Sequence, residues 1–473
     1  MILDKTSAAQ LAVMAAGFLA GCGGSYNAMA PPPGAQAAQV SLAVTDAPPA
    51  GVTVISFEVS VTGATLSPGN VDLLGGKGPV RIEVKKLETE SAFLSTATVA
   101  AANYTSLSLT FANPELTFQN NSGTALAGCA NGAVCQIKPT GTLTSMLNGT
   151  FYVTSASQNG FLVDLNLASI ISSSLAVDFS TANAVSATQK TTTGGGELQE
   201  VEDADGIVMS PANNQFTLQT ADFGAISVAT DGNTEFEDFG VCAAANFTCL
   251  ADGQSIEADL ELMGSGGFLA KKIELRDNAA EAADDELDGM VFKVDSATQF
   301  EIVVIDELRA VTNVSLGDPV VVMLQTAGGG TSFRVDANGL SVPSSLQQAF
   351  EGASDTSQLM PGQTVQVRKR SMTGGPAPAA IAVTTDRVRL RDTRFTATVS
   401  GAVNGNNFNI VGLPGLLTGA GINTIQAQTS SETNFENASA ISALVEGNTV
   451  SLRGLLFMSA PNPVLVSDKV RKR

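Results

Sequence analysis

The sequence contains no histidine and no tryptophan among its 473 residues. Without histidine, Ser-His-Asp and Cys-His catalysis, His-ligated zinc and covalent c-type haem are excluded. Only 5% of residues are aromatic, which argues against a high-affinity surface that stacks sugar rings. Acidic residues outnumber Lys and Arg by 45 to 25, and the formal net charge of −20 argues against a nucleic-acid partner.

The N-terminus carries the most specific motif. Residues 8–20 are an apolar stretch that is too short for a membrane-spanning helix, which needs about 20 residues, but fits the core of a signal peptide. The residues that follow, Leu19-Ala20-Gly21-Cys22, resemble the bacterial lipobox. The resemblance implies cleavage after Gly21 and a diacylglycerol on the Cys22 thiol; the alternative is a buried cysteine in an ordinary first helix.

The lipobox predicts the location of the protein. Residues 1–22 are predicted to be a lipoprotein signal peptide, and residues 23–39, rich in Gly, Ala and Pro, a tether. Two or more acyl chains hold a protein stably on a membrane. We therefore expect a lipid-anchored protein of the cell envelope, bound to the membrane through its N-terminus. Gly23, rather than Asp, after the lipobox favours the outer membrane in a Gram-negative host.

The other four cysteines form two close pairs, Cys129 with Cys135 and Cys242 with Cys249. Four cysteines allow three connectivities, and local pairing is favoured because each pair closes a short loop. A Cys₄ zinc site is the alternative, but neither pair has the usual CxxC spacing. We predict two disulfides, which fit an oxidising compartment.

Apolar and polar residues alternate along many short segments, which predicts an all-β protein with antiparallel sheets. Clear examples are residues 57–62, 106–111, 163–167 and 256–262. Helical periodicity is scarce, and residues 278–286 and 344–350 are interpreted as short helices or loops. The length of residues 40–188 fits a β-sandwich, and residues 189–200 are interpreted as a linker.

A phrase recurs three times in the C-terminal half: Gly253-Gln254-Ser255-Ile256, Gly362-Gln363-Thr364-Val365 and Gly447-Asn448-Thr449-Val450. The spacing of this and neighbouring phrases predicts tandem units at 201–277, 285–392 and 395–473, with an insertion between about Leu324 and Met360 in the second. A sheet of so few strands avoids exposed edges most easily by closing into a barrel. We expect a β-sandwich followed by three small β-barrels, OB-like or SH3-like, and a turn with positive φ at each recurring glycine.

These modules resemble two known families. The segments SLAVTDAP (residues 41–48) and VTGATL (residues 61–66) resemble domain-of-unknown-function family 4382. The tandem units, through their Gly-Gln/Asn-x-Val/Ile phrase, are similar to domain-of-unknown-function family 5666. That pairing behind a lipobox is typical of predicted cell-envelope lipoproteins. Neither family implies an established activity.

Acidic clusters are the candidates for metal ligands, because Ca²⁺ takes six to eight oxygen ligands. No stretch matches the EF-hand pattern, and a solvated acidic linker or turn is the alternative. We predict no other cofactor. Our hypothesis is that a cluster at a module boundary binds Ca²⁺ weakly and stiffens the joint; the candidate residues are Asp203, Asp205, Asp231, Asn233, Glu235, Asp285 and Asp288.

Basic residues gather late in the chain, at 368–370, at Arg387, Arg389 and Arg391, and at 469–473. They are interpreted either as a patch for anionic lipid or polysaccharide or as the exposed faces of the last strands.

We expect a non-enzymatic protein with a binding or scaffolding role, its modules arranged in a row, and with a protein or glycan partner that the sequence does not identify. The first alternative is a metal- or ligand-binding accessory subunit of an envelope complex. The second is a carboxylate-dependent hydrolase with two carboxylates about 5–9.5 Å apart.

Overall fold

The computed structural model describes residues 37–47, 52–76, 78–89, 92–154, 158–192, 200–221, 224–240, 242, 245–263, 267–282, 284–306, 311–337, 339–374 and 381–473. The predicted signal peptide with Cys22, nearly all of the predicted tether and most of the predicted linker lie outside these residues. The described part is all-β, as predicted.

The N-terminal module is a sandwich of two sheets with one shared core. Its strands are β1 (Ala37–Ala47), β2 (Val52–Ser67), β3 (Val71–Asp72), β4 (Val80–Glu83), β5 (Ala92–Ala100), β6 (Ala102–Asn120), β7 (Val134–Ile137), β8 (Gly141–Thr142), β9 (Thr144–Val153), β10 (Gln158–Asn166), β11 (Val177–Asp178) and β12 (Val185–Thr192).

One sheet of the sandwich has the order β12-β10-β1-β5, and the other has the order β3-β2-β6-β7 with β4 on β2 and β9 on β6. A two-stranded pair, β8 with β11, lies beside them. The alternation along β2 buries Phe57, Val59 and Val61 in the space between the sheets. Phe111 and Phe179 stack there with ring centroids 4.1 Å apart, so aromatic rings fill the centre of the core.

Three further sheets follow along the chain, each with six strands. The first has β13 (Glu200–Ala212), β14 (Gln215–Thr220), β15 (Gly224–Ala229), β16 (Glu235–Glu237), β17 (Ser255–Leu262) and β18 (Phe268–Asp277). The second has β19 (Glu286–Ser296), β20 (Gln299–Asp306), β21 (Pro319–Leu324), β22 (Ser332–Val335), β23 (Thr364–Thr373) and β24 (Ile381–Arg391). The third has β25 (Thr393–Asn404), β26 (Asn407–Val411), β27 (Ile425–Gln428), β28 (Asn434–Glu436), β29 (Thr449–Phe457) and β30 (Val464–Lys472).

All three sheets close in the same way. In the first, β15 pairs with β14, β14 with β13, β13 with β17, and β17 with β18, and a parallel pairing of β15 with β18 completes a five-stranded ring. The corresponding parallel pairs are β21 with β24 and β27 with β30. Without the short strand β16, the ring order is 1-2-3-5-4-1, which is that of the OB-fold barrel rather than an SH3-like barrel.

The recurring sequence phrase forms the turn before the fourth strand of each barrel. Gly253, Gly362 and Gly447 have φ of +85°, +91° and +87°, which a residue with a Cβ rarely adopts, as predicted. The amide that follows closes the turn, because its side-chain oxygen accepts a hydrogen bond from the backbone N–H three residues earlier. These bonds join Gln254 to Ala251, Gln363 to Met360 and Asn448 to Val445, at 2.7, 2.8 and 3.0 Å.

Three short α-helices interrupt the described strands: α1 (Leu167–Ile170), α2 (Ser344–Glu351) and α3 (Gly415–Gly419). Helix α2 lies within the predicted insertion of the second barrel. Its Phe350 is buried and meets the rings of Phe333 in the second barrel and Phe457 in the third at centroid distances of 5.7 and 6.5 Å. The insertion therefore joins two barrels. Residues 278–282 and 284–285 form turns and loop, not a helix.

The modules pack against one another, and the predicted arrangement in a row is wrong, because the first barrel contacts both the second and the third. The Thr117 hydroxyl of the sandwich donates to the Gly317 carbonyl of the second barrel at 2.8 Å. Gln363 of the second barrel donates to the Leu456 carbonyl of the third at 2.8 Å. The physical reason is that charged and amide groups of each barrel bind groups of a neighbouring module, as Asp277 of the first barrel binds Arg389 of the second.

Candidate functional site

The fifth strand of each barrel, β18, β24 or β30, carries a row of charged side chains. Apolar residues such as Ile273, Val388 and Val470 point into the barrel cores. The alternate residues on these strands are charged and face the other modules, because side chains on a strand alternate between its two faces. The three rows meet in a charged junction, which is the candidate functional site.

Asp277, at the end of β18, links the first barrel to the second. Its carboxylate accepts from both terminal nitrogens of Arg389, at 2.9 and 3.1 Å, and from Arg387 at 3.2 Å. Arg387 also pairs with Glu286 and has only 1% of its surface exposed. A bidentate pair of this kind neutralises both charges and also fixes the orientation of the two side chains.

A second group of ion pairs surrounds Arg391, whose guanidinium contacts Asp205 and Asp336 at 3.2 Å. Burial alone would lower the pKa of Arg391, but Asp288, Asp205 and Asp336 outweigh it and raise the pKa. Burial in turn would raise the pKa of Asp336, but Arg276 and Arg391 hold it below its usual value. These groups stay charged because they stabilise one another.

The start of β13 joins the first barrel to the third. Lys469 lies 2.5 Å from Glu202, and Arg453 pairs with Asp203 and with Asp468 of its own barrel. The acidic boundary at residues 200–205 therefore contacts both of the other barrels, since neighbouring Asp205 pairs with Arg391 of the second.

The structure brings three of the seven predicted metal ligands to one cavity of the junction, and arginines lie beside all three. Asp203, Asp205 and Asp288 lie in the junction beside arginines, and Asp285 pairs with Lys369. Asp231 instead closes its own turn, because its Oδ1 accepts from the Asn233 N–H at 2.8 Å; Glu235 lines a cavity described below. Within the described residues, no three His, Cys, Asp or Glu side chains are grouped so that they could hold a metal ion.

The late basic residues are neither an exposed patch nor exposed strand faces, and both interpretations are wrong for most of them. Arg387 and Lys469 are each 1% exposed, and Arg389 is 7% exposed. Arg368 is partly buried and pairs with Asp386 through two bonds of 2.9 and 3.0 Å. The sequence pattern placed these residues correctly on the outer strand faces but could not show that other modules cover those faces.

A cavity of about 290 Å³ opens where the three barrels meet. Nine of its fifteen lining residues are acidic and two are basic. The first barrel supplies most of the acids, and Glu432 and Asp468 come from the third, while the second contributes Gly339 and Leu340. We call this space the acidic cavity.

Glu274 is the most unusual group in the acidic cavity. It is 1% exposed, and neither of its carboxylate oxygens has a hydrogen-bond partner among the described residues. Burial, reinforced by the nearby Asp336, raises the pKa of Glu274 to about 8. The nearest cation is Lys272, whose Nζ lies 3.5 Å away and is closer, at 2.8 Å, to Glu237.

Glu274 was not among the predicted site residues, although the repeats contained a usable indication. In the phrase near the end of each unit, Ile273-Glu274-Leu275 occupies the place of Val388-Arg389-Leu390 and Val470-Arg471-Lys472. An acid therefore stands in the first barrel where the other two have an arginine. Two other acids in the junction, both partly buried, also have raised pKa values: burial raises that of Asp288 to about 6, and burial together with Asp468 raises that of Asp392 to about 8.

Both predicted disulfides are present, joining Cys129 to Cys135 in the sandwich and Cys242 to Cys249 in the first barrel. Each closes a loop at the surface of its module. Among the described residues, the structure has no helix with the length and apolar character needed to span a membrane.

The first barrel matches a known family model. Residues 205–274 match the model of a domain of unknown function, DUF5666, which covers most of the strands from β13 to β18. No curated protein matches the chain. The chain thus contains a DUF5666 module, and the likeness assigns a family to that barrel without assigning an activity.

Proposed function

We propose that this protein is a lipid-anchored component of the cell envelope, in which a sandwich and three barrels form one body with a binding role. The observation that carries the binding role is the acidic cavity at the meeting point of the barrels. The two disulfides support an oxidising compartment, and the residues of the lipobox support attachment through Cys22.

We extend the family assignment as part of this proposal. The second and third barrels have the ring order of the DUF5666 module and the same Gly-Gln/Asn turn, so we place them in that family. The two-sheet sandwich with its opening SLAVTDAP segment is placed in family 4382. Gly23 after the lipobox favours the outer membrane if the host is Gram-negative.

The walls of the cavity do not favour a sugar as its ligand or substrate. The described lining residues include no aromatic ring, so they offer no platform for stacking a sugar. A ligand-binding accessory subunit of an envelope complex is the second candidate, which the same cavity supports. Recovery of a stable partner protein after crosslinking in intact cells would favour the accessory role.

The anchor is tested by growing cells with an alkyne-bearing fatty acid and detecting label on the protein. We expect label on the wild type and on the matched control Ser25→Ala, and none on Cys22→Ala. Added protease should digest the wild type in cells only where the protein faces the outside. An unlabelled wild-type protein would overturn the proposed anchor.

A further inference from the structure

The register of the short sixth strand shows that Glu274 has an unusual neighbour. In the third barrel, parallel strands β28 and β30 place Glu436 beside Arg471, and the two form an ion pair. At the same register in the first barrel, β16 and β18 place Glu237 beside Glu274. Two carboxylates therefore occupy a position that holds an acid and a base elsewhere in the same chain.

The second barrel shows how this protein accommodates like charges at that register. There β22 and β24 place Arg334 beside Arg389. The charge of Arg389 is balanced by Asp277, which reaches it from the first barrel. The pair formed by Glu237 and Glu274 has only Lys272 as an ion-pair partner among the described residues, and that single cation serves both carboxylates.

Further acids surround Glu274, and part of their charge is balanced, because Asp336 pairs with Arg276 and Arg391. Asp238, on the loop after β16, and Asp336, after β22, both face it, and Asp259 lies beside Lys272 across the β17–β18 pair. The acidic cavity that Glu274 lines adds further carboxylates from the first and third barrels. A buried carboxylate without a hydrogen bond costs free energy that a bound cation would recover.

We propose that the acidic cavity binds an aliphatic polyamine, with one ammonium group bound to Glu274, next to the Lys272 ammonium that already pairs with Glu237. The cavity volume of about 290 Å³ far exceeds that of a single water molecule, roughly 30 Å³, and suits a chain rather than a bare ion. The described carboxylates are not grouped for direct coordination of a metal. An ammonium group donates three hydrogen bonds and can serve carboxylates that are spread apart. This inference names the ligand class of the proposed binding role and rests on that role.

The test is calorimetric titration of the full-length protein in non-ionic detergent with spermidine, at about 150 mM salt so that surface attraction is screened. We expect a single site in the wild type and in the control Glu446→Gln, which removes an exposed acid outside the cavity. Glu274→Gln should weaken binding by about tenfold or more, because it removes a charge-assisted hydrogen bond.

Glu274→Arg provides a second variant that is expected to fold, since it recreates the Glu436–Arg471 arrangement of the third barrel. It should abolish spermidine binding while raising or preserving the melting temperature. Spermidine titrations at pH 7 in two buffers of different ionisation enthalpy measure the protons released on binding. The wild type should release a proton from Glu274, and Glu274→Gln should release fewer protons.

Equal spermidine binding by the wild type and Glu274→Arg would overturn the proposal, as would no binding by the wild type. Tighter, Glu274-dependent binding of Ca²⁺ or Mg²⁺ than of spermidine would also overturn it in favour of a metal ion. The calorimetry does not depend on acylation, so its failure is distinguishable from failure of the fatty-acid labelling experiment.

Discussion

Asp277 of the first barrel and Arg389 of the second form a bidentate ion pair that is almost completely closed to solvent. Each group is the last or nearly the last residue of a strand in its own barrel. The pair fixes the orientation of the first barrel relative to the second. Charges buried in this way stabilise only while both partners are present.

Removal of Asp277 should therefore destabilise the protein strongly. Asp277→Ala leaves Arg387 and Arg389 buried without their shared carboxylate. The free energy of unfolding should therefore fall by about 3–5 kcal/mol. Denaturant unfolding monitored by circular dichroism measures the loss. The control is Asp285→Ala. It removes a carboxylate that pairs with Lys369 and is more exposed than Asp277, so the free energy of unfolding should fall by about 0–1 kcal/mol. Similar losses for both variants would contradict the importance of the buried pair.

The raised pKa of Glu274 predicts that stability falls as the pH rises. The unfolded carboxyl titrates near its model value of 4.5, and the folded one near 8. Between these values the folded state binds more protons, so each such group lowers the free energy of unfolding by about 1.4 kcal/mol per pH unit. Urea unfolding at pH 5 and pH 8 measures the slope.

Glu274→Gln should flatten this slope, because the amide does not titrate. Asp392 and Asp288 have raised pKa values near 8 and 6 and act in the same direction, so part of the slope should remain. Adding Asp392→Asn to Glu274→Gln should reduce it further. A slope unchanged in the double variant would show that other groups control the pH dependence.

The helix of the insertion should stabilise the joint between the second and third barrels. Phe350→Ala removes a buried ring that contacts both Phe333 and Phe457, and truncations of this kind cost about 3–5 kcal/mol. Limited proteolysis should cut the variant between the barrels sooner than the wild type. Gln348→Ala, at an exposed position of the same helix, should behave as the wild type does. Equal cleavage of the three proteins would show that the helix does not contribute to the joint.

The disulfide of the first barrel should contribute a modest amount of stability. Loss of the Cys242–Cys249 bond frees a loop with a sequence separation of seven residues, and the chain-entropy model gives about 2 kcal/mol. The double variant Cys242→Ser/Cys249→Ser should thus melt at a lower temperature. Full reduction of the wild type should lower the melting temperature at least as far, because it also breaks the Cys129–Cys135 bond, and intact-mass measurement verifies the thiol state.

Much of the architecture was predictable from local patterns. Alternation along segments such as 57–62 predicted strands, and the Gly-Gln/Asn phrase predicted the turns, because both depend on neighbouring residues and backbone geometry alone. Close spacing predicted the disulfides for the same reason. The choice of an OB-like ring over an SH3-like one depended on the parallel pairing of the third and fifth strands, which no local pattern specifies.

Periodicity and contacts between residues close along the chain were enough to predict the strands, the repeated barrels and the local cysteine pairs. Packing between distant parts of the chain, which no local pattern encodes, brings the barrels together, buries Arg387 and Lys469, and puts Glu274 beside Glu237. A charged residue on the outer face of a strand has the same sequence pattern whether water or another module covers it. Residues far away in the chain set its burial, and therefore its pKa and the ligand that it can bind.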